Sequence, residues 1–186
     1  SPNVEQTPTL QQANGTLRPL SATTGYLERQ HDRFIWHYHN GDKWHFNQAG
    51  WLIQIQRQGH DPLVITRHTS GALQHLIDSV HQAKHRLQFT YTQKTSRPLL
   101  QQIHSPQGAI TYQYEQVPDS TLQRLIKAHY PDHRLLHYHY EAPYQQQNLW
   151  AITGKSIQQS GASPIFRVRS WVYDKQGRAI FYMAEQ

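Results

Sequence analysis

The stretch Phe34-Ile35-Trp36-His37-Tyr38-His39-Asn40-Gly41-Asp42-Lys43-Trp44-His45-Phe46 decides how the chain is read. Asn-Gly between two runs of alternating aromatic residues is a strong short-range hairpin signal, because both residues accept the left-handed backbone that a tight reversal needs. Side chains alternate across a strand, so Phe34, Trp36 and Tyr38 share one face while His37 and His39 point to the other. The expectation is an antiparallel hairpin with an aromatic face.

Working outward, similar units recur, and recurrence moves the fold question from single elements to a stacked array. Gly50-Trp51-Leu52 leads into Ile53-Gln54-Ile55, and Gly71-Ala72-Leu73 leads into Leu76-Ile77-Asp78. Leu87-Gln88-Phe89-Thr90-Tyr91 closes the second unit. Leu100 to Ile103 and Ser105-Pro106-Gln107-Gly108 precede Tyr112-Gln113-Tyr114-Glu115. A fourth unit runs from Leu122 through Pro131-Asp132 to Tyr138-His139-Tyr140-Glu141, and a last one from Leu149-Trp150-Ala151-Ile152 to Trp171-Val172-Tyr173-Asp174. Each offers a strand, a polar turn and a second strand with alternating aromatics. Phe89 with Tyr91, Tyr112 with Tyr114, and Tyr138 with Tyr140 are expected to stack in cross-strand rows. Leu73, Leu76, Ile77, Val80 and Leu87, like Leu122, Leu125, Ile126 and His129, fit a helical stripe as well, and periodicity does not separate the two readings. Gly71 before the first run and Phe89-Thr90-Tyr91 after it favour a hairpin.

The composition agrees with strands. Of 186 residues, 11 are Tyr and 5 are Trp while only 37% are hydrophobic, so the apolar material is concentrated in side chains that suit a pleated, half-covered surface. Residues 1–24, scattered with Thr, Gln, Pro and Asn, read as a flexible N-terminal arm or linker, and 25–186 as the sheet domain. The chain opens on Ser1 and not on Met, which reads as processing or as excision from a longer polypeptide and leaves room for a removed export signal. No apolar run approaches the roughly 20 residues that a membrane helix needs. The formal charge of +6 is spread over single Lys and Arg residues, which counts against nucleic acid as a partner.

The repeated Tyr-x-Tyr-Glu endings, the Gly-x-Leu openings and Tyr173-Asp174-Lys175-Gln176-Gly177-Arg178 give the chain a family likeness. It resembles the YD-repeat or Rhs proteins: Rhs polymorphic toxins, teneurin-like proteins and the C-component shells of toxin complexes. Gly71, Leu73, Ile77, Asp78, Arg86, Leu87, Phe89 and Tyr91 follow the order of that repeat, as do Leu149, Ile152, Trp171, Tyr173, Asp174, Gly177 and Arg178. The likeness covers about residues 26 to 182. Glu115 and Glu141 stand where Asp is usual, and His133 where a turn glycine is expected. The resemblance implies an all-β fold of repetitive antiparallel hairpins, forming a curved open sheet or partial shell of YD repeats. It also implies a non-catalytic structural role, encapsulating, carrying or presenting a toxin cargo, in a protein that is secreted or on the surface of a bacterium. The partner would be the remainder of a larger YD-repeat chain or another protein, with homo-oligomers through open sheet edges. Asp61-Pro62 lacks the surrounding motif of the family's self-cleavage segment, so no protease activity is carried over.

Residues that could carry chemistry have bland readings beside the sharp ones. His31, His37, His39 and His45, with His137 and His139, have the spacing to grip a metal from one strand face, yet no carboxylate stands at a fixed distance and the alternation is that of polar face residues, so no metal or cofactor is assigned. Glu115, Glu141 and Asp174 end successive strands and read as repeat-end residues bonded to turns, not as a glycosidase pair. Ser70, Ser105, Ser156 and Ser170 lack a nucleophile-elbow context. No cysteine is present, which removes disulfides, thiolate metal sites and a cysteine nucleophile. The alternative to a purely structural role is a surface adhesion module that recognises carbohydrate or protein through exposed aromatics, with Trp44, Trp51 and Trp150 as candidates.

Overall fold

A computed structural model describes residues 10–13, 16–19, 25–93, 97–145 and 148–184. The fold is all-β, and the chain divides into two compact units, residues 1–87 and 88–186. The first holds β1 (Leu10–Ala13), β2 (Thr16–Pro19), β3 (Gly25–Arg29), β4 (Arg33–Tyr38), β5 (Lys43–Asn47), β6 (Leu52–Gln56), β7 (Leu63–Arg67) and β8 (Ile77–Gln82). Strand β9 (His85–Thr92) contains the boundary. The second holds β10 (Leu99–Ser105), β11 (Gly108–Gln116), β12 (Gln123–His129), β13 (Leu135–His139), the short helix α1 (Ala142–Gln145), β14 (Gly154–Gln158), β15 (Ile165–Tyr173) and β16 (Ala179–Ala184). Within each unit every strand pairs antiparallel with its sequence neighbours, giving an open meander.

One expectation changes, and one open reading is resolved. Residues 10–13 and 16–19, read as part of a flexible arm, are strands: β2 pairs with β3 through Thr16↔Glu28 and Leu17↔Leu27. They escaped notice because they lack aromatic alternation. The remainder of the segment 1–24 lies outside the described residues. The doubtful stretches are extended, not helical: β8 and the start of β9 flank a tight reversal with Ala83 at φ +49°, and 123–129 is strand β12.

Four reversals share one geometry. In Tyr38–Asp42, Asn47–Trp51, Tyr130–Arg134 and Asp174–Arg178 the first N–H donates to the fifth carbonyl at 2.9 Å, and the fourth N–H donates back to the first carbonyl. The fourth residue is left-handed in each: Gly41, Gly50, His133 and Gly177. This is a three-residue loop with a left-handed closing residue, so the Asn40-Gly41 hairpin is one residue longer than a minimal two-residue loop. His133 occupies the glycine position with φ +68°, as its alignment to the repeat implied.

Register then explains the interior. Trp36 lies directly opposite Trp44, and Phe34 opposite Phe46, which is the aromatic row expected of the first hairpin. The Tyr-x-Tyr rows do not form as expected, because Tyr112 faces Ala128 and Tyr138 faces Lys155. Strand β10 lies between β9 and β11, and β12 between β11 and β13, so the strands that carry these pairs are never neighbours. Among the described residues only Ile35, Val117, Ala128, Leu135 and Ala151 are buried apolar side chains, matched by five buried polar ones, so neither unit rests on a thick hydrophobic core. The ladders and half-buried faces hold the sheets instead.

Extra residues interrupt the ladders at Ile53, Asp78 and Gln101, near the starts of β6, β8 and β10, and at Ile126 in the middle of β12. A bulge leaves main-chain groups without their regular ladder partners. Side chains from the following strand supply some. Arg67 Nε donates to the carbonyl of Leu52 at 3.3 Å, the Tyr114 hydroxyl to Leu100 at 2.7 Å and the Tyr140 hydroxyl to Leu125 at 2.7 Å. Each acceptor immediately precedes a bulge residue. Tyr173 binds the carbonyl of Ile152 at 2.9 Å in the same manner, ahead of β14.

Candidate functional site

Polar side chains converge most densely in the second unit, where the chain leaving β13 passes over β14 and β15. Glu141, just beyond β13, meets Arg167 of β15 in a two-pronged bridge, with Nη1 to Oε1 at 2.9 Å and Nη2 to Oε2 at 2.8 Å. Arg167 also donates through Nη2 to the Thr153 carbonyl at 2.8 Å and through Nε to Ser170 Oγ at 2.9 Å. The buried Thr153 hydroxyl donates to Glu141 Oε2 at 2.8 Å and accepts the Glu141 N–H at 2.9 Å. Hydrogen bonding to Arg167 above all, with Thr153 adding to it, holds the Glu141 carboxyl below the usual carboxylate range against the opposing effect of burial. Gly154 leaves room for this bridge, since a Cβ there would collide with the Arg167 guanidinium and force it to shift.

On one side His139 Nε2 lies 2.7 Å from Ser156 Oγ, and His137 Nε2 lies 2.9 Å from Gln158 Oε1. Burial, then the positive charge of Arg167, lowers the His139 pKa. A Ser–His contact of this length has the spacing of a nucleophile and base. Ser156, however, is only 2% exposed in an interior strand, and the carboxylate that would orient the imidazole is engaged by Arg167. The pair is structural cement, as is the α1 residue Gln145, buried and donating to the carbonyls of Leu149 and Ala151.

Above the bridge opens a cleft of about 330 Å³ with an apolar wall that includes Tyr144, Val172, Phe181 and Met183. Ser170 and Val172 pair with Met183 and Phe181, so these four share the face that carries the cleft. A second hollow, about 740 Å³, lies in the first unit among Gly41, Lys43 and the loop residues 56–61.

Sequence reasoning had tied Glu115, Glu141 and Asp174 alike to turns. Only Asp174 does this: its carboxylate accepts the N–H groups of Gln176 and Arg178 and the Arg178 Nε at 2.8 Å. Glu115 instead pairs with Arg124 of β12 at 2.8 Å, and Arg124 stacks over the Tyr140 ring at 4.2 Å. Gly71 and Leu73 sit in a single 3-10 turn between β7 and β8, not on a strand, while Asp78 is the bulge residue of β8 and Tyr91 pairs with Leu100.

The histidines divide similarly. His37 bonds Glu28 at 2.7 Å and stacks on Tyr26 with ring centres 4.5 Å apart. His45, on the same face, has both ring nitrogens buried without a hydrogen-bond partner, and burial, then Arg33 and Lys43, lowers its pKa. His31 and His39 are exposed near the hairpin ends. Among the described residues no group of three or more metal-ligating side chains converges.

The three tryptophans fall in different settings. Trp44 is half-buried in the aromatic row, within 5.4 Å of the Tyr38 ring. Trp51 is 42% exposed, stacked on His75 at 5.5 Å with Arg67 at 5.1 Å over its ring. Trp150 is 45% exposed in the loop before β14.

No family model matches the chain, and no curated protein matches it. Among solved structures, a chain of the Photorhabdus luminescens Tc holotoxin pore is similar over 92% of this chain and 12% of that one, at 8% identity and a TM-score of 0.30. The chain therefore spans a small part of that protein's length. Its own geometry defines an all-β fold: open antiparallel meanders whose reversals and bulge ties recur.

Proposed function

We propose that the chain is a non-catalytic structural segment of YD-repeat type, part of a bacterial secreted or surface toxin-related protein, whose sheet sequesters, carries or presents another polypeptide. The observation that carries the reading is the recurrence of one device. A tyrosine in the second strand of a hairpin, or just past it, donates its hydroxyl to a bulge carbonyl, as at Tyr114 and Tyr140, and Asp174-x-x-Gly177-Arg178 closes its turn with the aspartate accepting three donors. The tyrosine and the aspartate of the repeat thus both have structural work, which supports a role as scaffold. The polar groups at Glu141 bind one another, which supports the absence of a reaction centre.

The test is limited proteolysis of the natural polypeptide that contains these residues, intact and with 25–184 deleted. Sequestration predicts that a segment outside the sheet resists cleavage only while the sheet is present. Equal cleavage in both forms overturns it.

A second reading, adhesion through exposed aromatics, is favoured by Trp51, whose ring is solvent-accessible and braced by Arg67 and His75. A braced tryptophan face suits a sugar ring. Quenching of tryptophan fluorescence by an oligosaccharide, lost in Trp51→Ala, would support it, and silence across a glycan array would end it.

A further inference from the structure

Strand β5 lies inside the first unit, and His45 at its centre pairs with Ile35 of β4 and Gln54 of β6. Among the described residues it alone has both ring nitrogens buried without a hydrogen-bond partner. Register gives the groups that share its face: Tyr26 and Glu28 on β3, Arg33 and His37 on β4, Lys43 on its own strand, and the uncharged Gln54 and Gln56 on β6. The Glu28 carboxylate is already engaged, by His37 at 2.7 Å and by Gln30 at 3.0 Å. A proton taken up by His45 therefore has no acceptor in place. The strand beside it is lightly held. β6 meets β7 through two residue pairs, Gln54↔Val64 and Ile55↔Leu63, and its ladder to β5 breaks at the extra residue Ile53, next to Gln54.

We propose that His45 is an acid-operated latch: on gaining a proton it parts β6 from β5, opening the first unit locally while the second unit stays folded. In the closed state burial, then the positive neighbours Arg33, Lys43 and His37, disfavour the charged ring more than Glu28 favours it. Separation of β6 admits water to both ring nitrogens and relieves the burial. The folded pKa lies below the ordinary 6.5, so the latch is fully set above about pH 6.5 and is released as pH falls through the folded value. His139 in the second unit is lowered too, but it has a place for its proton: Nε2 lies 2.7 Å from Ser156 Oγ, and Glu141 favours the charge. Nothing comparable stands beside His45, so the first unit yields before the second. The latch goes beyond the scaffold reading: a sheet that stays shut in acid would leave that reading untouched.

Hydrogen exchange on the full chain, read peptide by peptide from pH 8 to pH 5 and corrected for the intrinsic exchange rate, is the measurement. Linkage to one proton lets the opening constant rise by at most about tenfold per pH unit. Protection of residues 43–56 should therefore fall at least about threefold further by pH 5 than that of residues 135–158. His45→Gln, neutral throughout, should abolish the extra loss. The imidazole C–H resonances of the wild-type protein give a second reading that needs no folded variant, with His45 expected to titrate below 6.5. Equal loss in both segments, an unchanged pH dependence in His45→Gln, a His45 ring that titrates at or above 6.5, or a ring that titrates low while residues 43–56 stay protected each overturns the proposal.

Discussion

The hydroxyl of Tyr140 donates to the main-chain carbonyl of Leu125 at 2.7 Å, beside the bulge residue Ile126, where the ladder between β11 and β12 loses its regular spacing. A tyrosine here satisfies a carbonyl that the sheet itself has displaced. Tyr140→Phe keeps the ring under Arg124 and deletes only the donor. It should cost about 0.5–1.5 kcal/mol, with Tyr114→Phe costing a similar amount, in urea unfolding of the second unit. A loss near zero for both would mean that water replaces the hydroxyl and that the tie is incidental.

Gly154 and Arg167 are predicted to be coupled. Gly154→Ala places a methyl group where the guanidinium lies, so the bridge to Glu141 must shift, at a cost of about 1–3 kcal/mol. Arg167→Ala removes the obstacle together with the bridge. The double variant should therefore be more stable than the sum of the two single losses predicts, by at least about 0.5 kcal/mol in a double-mutant cycle. Strict additivity would contradict the collision.

Stability should fall in acid in two stages. His45 and His139 have folded pKa values lowered from 6.5, so the unfolded chain binds their protons more readily. Their contribution is complete above the unfolded value and is lost as pH falls below about 6.5, through the folded values. His45 would gain its charge beside Arg33, Lys43 and His37, with Glu28 opposing them. Glu141 is also lowered, from 4.5, and its contribution is lost in a later step below that value. Melting temperature measured from pH 8 to pH 3 should show both stages. His45→Gln and His139→Gln should flatten the first and leave the second. A melting temperature that is level between pH 7 and pH 5 would refute the first stage.

His133 carries a side chain in a left-handed position with φ +68°, and its ring is exposed. His133→Gly should stabilise the protein by about 0.5–1 kcal/mol, and Gly177→Ala, at φ +76°, should destabilise it by about 1 kcal/mol. Opposite signs at two equivalent positions, read from thermal melts, test whether one turn geometry is shared.

Much of this architecture is written locally. Asn40-Gly41 and Asp174 to Arg178 carry their turn chemistry within five residues, and His133 announces its strained role by standing in a glycine's place. What stayed hidden depends on register. Strand order is invisible in composition, yet it places β12 between β11 and β13, so that Tyr112 faces Ala128 and not another tyrosine. Glu141 and Arg167 stand 26 residues apart, with a helix and a strand between them, so no local pattern joins them and the strand-end position of Glu141 points only to a turn. Strands β1 and β2 lack the alternating aromatics that mark the later strands, so the sequence does not announce them. His45 showed as one histidine among 14, and only burial sets it apart.

The meander has a kinetic consequence. Every strand in each unit finds its partner in the segment just before or just after it, so few contacts must wait for distant parts of the chain to diffuse together. Low contact order of this kind favours fast formation, one hairpin at a time. Such a chain can zip up in order as it leaves a ribosome, each finished reversal serving as the template for the next.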